Sequence, residues 1–220
     1  MQFAKKILKW HHKDITTKTN IIKKDQFEKY IIANNKKHII FDFDETLCTL
    51  LVDWTPWRKE LDELFAASDL TPKNKPDFNY ADIVNLYIEK YGKAGRDGIV
   101  ALNYRIEKDY YSGYELSPIA MPLLESAEKF AKLYLWTSND RRTVAPILRE
   151  LEIIDKFQKI VTRNDVEYVK PKAAGFALIY DERNARSQYL LIGDSRSDSG
   201  AAIDAGIDFI NISEFNDFLD

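Results

Sequence analysis

One cysteine, Cys48, in 220 residues excludes an intrachain disulfide and any cysteine-rich metal site. Histidine is nearly as scarce. His11, His12 and His38 all fall in the first 38 residues, so a Ser-His-Asp or Cys-His device would have to recruit one of them across the fold, and no partner nucleophile stands near them. His11 and His12 are adjacent and point to different sides of a helix, which suits a solvated basic helix better than a metal site. No apolar run approaches the ~18 residues that span a bilayer, and the start MQFAKKILKWHHKD lacks the uninterrupted apolar stretch of a secretory signal. A net charge of -3 gives no global basic excess for nucleic acid. These absences predict a cytoplasmic protein with no membrane span and no nucleic-acid partner, and they leave its oligomeric state open.

The most informative stretch present is HIIFDFDETL, His38 to Leu47. A short apolar run ending in a polar turn reads as a buried parallel strand, which delivers Asp42 and Asp44 together at the carboxyl edge of a sheet. Ligands bind at that edge in open α/β sheets. Two carboxylates two residues apart in a partly dry site repel, unless one keeps a proton or a cation lies between them. An ionised Asp is a nucleophile without a helper base, and a protonated neighbour serves as general acid. Taken alone, the pattern also fits a strand followed by an Asx-type turn, with Thr46 capping the backbone.

The first 40 residues carry ten lysines. Phe3, Ile7, Leu8 and Trp10 are spaced as one helical face, and Phe27, Tyr30 and Ile31 as another, predicting docked helices with a wet lysine face in an N-terminal extension over residues 1–37. Such a basic start could also meet anionic lipid or an acidic partner. A helical insert is expected over 53–115, with Thr55 as N-cap, Pro56 at the first helical position, a second helix over 81–92 stopped by Gly92, and a third over 98–111. Gly92, Gly95 and Gly98 make no GxGxxG after a strand and read as a loop. From 116 onward helices alternate with LYLW at 133–136, KIV at 159–161, YLLI at 189–192 and IDFINI at 207–212. Pro146 is expected to bend or shorten its helix. The pattern predicts a doubly wound parallel α/β sheet with a core over 38–52 and 116–220.

Polar residues end several of these strands. Thr137 and the free N–H groups of the next helix offer an anion seat. Lys170, in VKPK, is a point charge suited to phosphate or to crowded carboxylates. Asp194 and Asp198 sit in IGDSRSD, and Asp42, Asp44 and Asp194 are hard oxygen ligands suited to Mg²⁺. Each has a plain capping or turn reading; their order at the ends of separate strands favours a shared site.

FDFDETL, LYLWTS, VKPK and IGDSRSD resemble, in order, the four motifs of the haloacid dehalogenase superfamily, and Asp155 to Ile212 is similar to its phosphoglycolate-phosphatase-like branch in subfamily I. The resemblance covers about 38–47 and 117–213. It implies a Rossmann-like core with an inserted helical cap, and phosphatase activity on a small phosphorylated metabolite. By the same resemblance Asp42 is the nucleophile, Asp44 the acid/base, and Thr137, Ser138 and Lys170 hold the phosphoryl group. Asp42, the backbone carbonyl of Asp44 and Asp194 would bind Mg²⁺, supported by Thr46 and Asp198. Glu45 stands where that branch usually has Gly, and DETL also occurs in the RNA-polymerase-tail phosphatases of the superfamily, which lack a large cap. A phosphomutase is the nearest enzyme alternative. A non-hydrolytic phospho-aspartate module is the alternative from another class, and it needs neither a cap nor Asp44. Arg96, Arg105, Lys108, Trp54 and Trp57 are expected to contribute to substrate choice.

Overall fold

The structure, a computed structural model, describes residues 22–70, 79–215 and 218–219. The helix expected around Phe3 and Trp10, with His11 and His12, lies outside them. Helix α1 (Lys24–Ala33) leads into strand β1 (His38–Phe41), and an antiparallel ribbon of β2 (Cys48–Val52) and β3 (Tyr111–Leu116) brackets helices α2 (Thr55–Ala67) and α3 (Tyr80–Asp109). The chain continues through α4 (Ala120–Glu128), β4 (Lys132–Trp136), α5 (Arg141–Glu150), β5 (Phe157–Val161), α6 (Ala174–Ile179), β6 (Tyr189–Gly193), α7 (Arg196–Ala205) and β7 (Asp208–Asn211).

The main sheet is parallel, in the order β5-β4-β1-β6-β7. Its central strand, HIIF, is buried along its whole length, because helices cover both faces of a doubly wound sheet and every side chain meets apolar neighbours. One face packs Phe27, Leu123 and Leu148; the other packs Trp136, Phe176 and Ala201. Register then sets the site. Phe41 pairs with Leu135 on one side and Ile192 on the other, so Asp42, Thr137 and Asp194 leave the sheet side by side at its carboxyl edge. The inserted helices form an apolar core of their own around Leu61, Phe65, Val84 and Ile88.

Several local expectations change. Helix α1 buries Phe27 and Ile31 as its spacing predicts, but the lysines around it are not uniformly wet. Lys36 is buried, donating to Ser187 O at 2.6 Å and pairing with Asp208 at 2.5 Å. Thr55 is not the cap of α2; its backbone N–H bonds to Asp53 Oδ1 at 2.9 Å. Gly92 adopts φ 58° and ψ -143°, a non-helical conformation that divides α3 into two helices as its position predicts, while Gly95 and Gly98 are helical. At Gly95 a Cβ would lie 2.8 Å from Tyr91 Cβ, so close packing, not a loop, explains that glycine. Helix α3 stops at Asp109, and Tyr111 begins β3, which pairs with β2 some sixty residues earlier in the chain. Helix α5 runs through Pro146.

Candidate active site

Asp42 follows β1 directly, its N–H bonded to Ile192 O at 2.9 Å. The chain then turns tightly, with the N–H groups of Leu47 and Cys48 both on Phe43 O. Glu45 makes this turn at φ +57°, in the left-handed region that glycine enters without a Cβ clash. That is the physical content of the missing glycine. The Asp44 carboxylate accepts from Leu50 N at 2.8 Å, which ties it to β2.

Lys170 is the hub. It is 2% exposed, and its Nζ donates to Trp136 O at 3.0 Å and to Asp198 Oδ1, and lies 2.7 Å from Asp42 Oδ1. Trp136 in turn needs Gly175, where a Cβ would come within 2.1 Å of the indole nitrogen. Asp198, fully buried, also accepts from Ser195 Oγ at 2.5 Å and Ser195 N at 3.0 Å. It packs so closely on Gly193 that a Cβ there would meet its Cγ at 2.6 Å. Both Asp198 oxygens are therefore committed to the protein.

Two buried carboxylates share one ammonium, which leaves a negative charge over. Burial first, and then Asp198, push the Asp42 carboxyl up, against the pull of Lys170. Burial works against the Lys170 charge, but Asp198 and Asp42 outweigh it and hold the ammonium at about 12. Burial raises Asp44 to about 6 and, with Asp198, raises Asp194 to about 6. Oxygens of Asp42, Asp194 and Asp198 lie within 4.8 Å of one another. Asp42 Oδ1 is buried, and the Lys170 ammonium 2.7 Å away is its ion-pair partner. Hard oxygen donors brought close together and surplus negative charge fit a divalent cation.

A cavity of about 310 Å³ opens over this cluster, walled by Asp42, Asp44, Glu45, Ser138, Lys170 and Asp194. Thr137, Thr46 and Asp198 are buried and do not line it. Thr137 Oγ1 donates to Asn139 Oδ1 at 2.7 Å and accepts from Asn139 N at 3.1 Å, so its hydroxyl shapes the loop. Thr46 Oγ1 has no partner. Asp198 joins Asp42 and Asp194 in the carboxylate trio, while the ligand expected of Asp44 is its backbone carbonyl. The anion seat expected at the start of α5 is filled from within the protein. Asp140 N is taken by Glu107 Oε2 at 3.2 Å, Arg141 N by Asn164 Oδ1 at 2.8 Å and Arg142 N by Asp140 Oδ1 at 2.9 Å.

The insert supplies Trp54, Trp57, Tyr80 and Asn103 to the wall, and the core adds Asn139 and Arg163. Of the residues expected to influence substrate choice, Trp54 and Trp57 line the cavity; Arg96, Arg105 and Lys108 do not. Arg96 instead binds Asn164 O at 2.6 Å and Val166 O at 2.8 Å, Arg105 pairs with Glu60, and Lys108 is exposed. Asn103, Asn139, Arg163 and Glu107 escaped sequence reasoning. Only the polar run TRND directly after β5, and polar positions recurring four apart on α3, hinted at them.

The family model for haloacid dehalogenase-like hydrolases matches residues 39–212, and the chain belongs to that family of enzymes. No curated protein matches the sequence. A Lactobacillus plantarum protein assigned as a phosphoglycolate phosphatase superposes with a TM-score of 0.55 at 20% identity, covering 82% of this chain and 87% of its own. A Bacteroides fragilis protein assigned as a haloacid dehalogenase-like hydrolase gives 0.54 at 22%, over 83% and 93%. A predicted phosphoglycolate phosphatase from Haemophilus somnus gives 0.52 at 22%, over 82% and 88%. At these identities the likeness establishes a shared fold, the doubly wound core with an inserted helical cap. Among the described residues no helix is long and apolar enough to cross a membrane.

Proposed function

We propose that the chain is a magnesium-dependent phosphatase that hydrolyses a small phosphate monoester through an aspartyl-phosphate on Asp42. The observation that carries this reading is Asp42 itself, a buried carboxylate 2.7 Å from the Lys170 ammonium and on the wall of the cavity beside Asp44 and Asp194. Residues 53–115 act as the cap, 38–52 and 116–220 as the core, and 1–37 as an extension; a reducing cytoplasm suits the lone buried Cys48.

Asp42 attacks phosphorus and the ester P–O bond breaks. Asp44, raised by burial to about 6, gives its proton to the departing alkoxide, then as carboxylate takes a proton from the water that attacks the phosphoryl group and frees Asp42. Lys170 and Ser138 hold the phosphoryl oxygens, while Thr137 fixes the loop through Asn139. Asp42, the Asp44 carbonyl and Asp194 would hold magnesium, with Asp198 binding Lys170 and Ser195 behind them. When bound, the ion supplies the positive charge that keeps Asp42 ionised and offsets charge on the phosphoryl group. A phosphomutase would pass the same phosphoryl group to a sugar hydroxyl.

Asp42→Asn tests the reading. It should abolish release of p-nitrophenol from p-nitrophenyl phosphate while leaving the circular dichroism of the fold unchanged, and a folded Asp42→Asn protein with retained turnover would reject Asp42 as nucleophile.

A further inference from the structure

Two aromatic faces border the cavity. Trp54 and Trp57, both half-buried, line it and meet edge to face, with ring centres 5.8 Å apart at 75°. Trp57 is held by its Nε1, which donates to Asn103 Oδ1, and by the Tyr80 ring at 5.2 Å. Among the described residues no lysine or arginine stacks on either tryptophan. A tryptophan face attracts a cation within about 6 Å of its centre. These rings come from the insert and stand across the cavity from the sheet edge that carries Asp42 and Lys170.

Charge points the same way. Glu45 is exposed on the cavity wall, accepts a long hydrogen bond from Thr49 Oγ1 at 3.4 Å, and among the described residues has no lysine or arginine paired with it. The cations on that wall are already matched. Lys170 lies 2.7 Å from Asp42 and binds Asp198, and Arg163 lies 3.3 Å from Glu107. Carboxylates at and behind the wall therefore outnumber cations, even with Asp44 holding a proton. Magnesium and a phosphoryl dianion bring equal and opposite charges, so the surplus persists once both are bound and favours a positive group in the space that remains. Glu45 adjoins Asp44, the acid that meets the departing oxygen, which puts its charge on the side of the leaving group.

We infer that Trp54, Trp57 and Glu45 form a seat for a cationic nitrogen on the leaving group, a primary or quaternary ammonium, which makes phosphorylated amino alcohols the substrate class. This rests on the phosphatase reading for the phosphoryl group. The rings supply cation–π attraction and apolar cover for the carbons next to the nitrogen, and Glu45 supplies the counter-charge. A leaving group that carries an anion meets the surplus negative charge and is rejected. The seat also gives a use for a side chain kept at φ +57°, where glycine would make the turn with less strain.

Calorimetric titration with non-hydrolysable phosphonates tests the seat separately from turnover, with magnesium in excess and at a pH where every phosphonate is a dianion and the amine keeps its proton. The wild-type protein should bind 2-aminoethylphosphonate or its trimethylammonium analogue at least about tenfold tighter than propylphosphonate, the size of an ion pair and a cation–π contact together. The tighter of the two names the ammonium. Benzylphosphonate, aromatic and uncharged at that end, should bind more weakly than either. Glu45→Gln keeps the length of the side chain and removes its charge, and Trp54→Leu removes a ring; each should reduce the preference at least about threefold. Equal wild-type affinity for the ammonium probes and propylphosphonate, tighter binding of benzylphosphonate, or a preference undiminished in both variants overturns the seat. Loss of the seat by that measure with p-nitrophenyl phosphate still hydrolysed leaves the phosphatase standing. A preference that the substitutions reduce, with no phosphate ester hydrolysed, keeps the seat and removes the phosphatase.

Discussion

Asn85 and Val169 exchange two hydrogen bonds, Asn85 Nδ2 to Val169 O at 2.9 Å and Val169 N to Asn85 Oδ1 at 3.0 Å. A buried amide of the inserted helix thus grips the residue directly before Lys170. Asn79 does the same for the last site loop, donating to Ser197 Oγ at 2.7 Å, and Glu107 for the loop after β4. The insert therefore holds the core loops that carry the site, as well as covering them.

Asn85→Leu preserves volume but leaves Val169 N–H without an acceptor. It should cost about 1–3 kcal/mol in urea unfolding and weaken inhibition by inorganic phosphate, which reads the seat of Lys170. Unchanged stability would mean that water or a shifted loop satisfies Val169 instead.

Removing divalent metal should silence the enzyme. Treatment with EDTA is expected to abolish hydrolysis of p-nitrophenyl phosphate and magnesium to restore it. Magnesium should also raise the melting temperature, because an ion that binds only the folded chain stabilises it. Activity undiminished by EDTA would strip Asp194 of its assigned role.

Glu45→Gly should stabilise the fold. A Cβ in the left-handed region costs about 1–2 kcal/mol, and the extra freedom of glycine in the unfolded chain returns about 0.5–1 kcal/mol of that. A net gain of about 0.5 kcal/mol is expected from these two terms, measured by chemical denaturation. A loss of stability would show that the Glu45 side chain contributes more than its backbone costs.

His38 gives the stability a pH dependence away from the site. It is buried, stacked on Tyr189 at 4.3 Å and within 3.1 Å of Tyr134 Oη. Burial lowers its pKa below 6.5. The neutral ring is the folded form, so this contribution is complete above the unfolded value and is lost as pH falls below it, where the unfolded chain takes the proton first. Asp42, Asp44 and Asp194, raised in the folded chain, pull the other way in the same range, so the effect is read as a difference: between about pH 8 and 5 the urea midpoint of the wild-type protein should fall relative to that of His38→Phe. An equal slope in the variant would assign it to other groups.

The parallel strands and the edge to which they deliver Asp42, Lys170 and Asp194 were legible in the sequence, because a strand buried on both faces must be written as a short apolar run and polar residues collect where it ends. Glu45 was legible as an anomaly, and the turn at φ +57° shows why. The pairing of β2 with β3, the docking of Glu107 on α5 and the ion pair of Glu107 with Arg163 were decided only by the tertiary structure. Each depends on which groups from distant segments meet, and periodicity along a single segment does not record that.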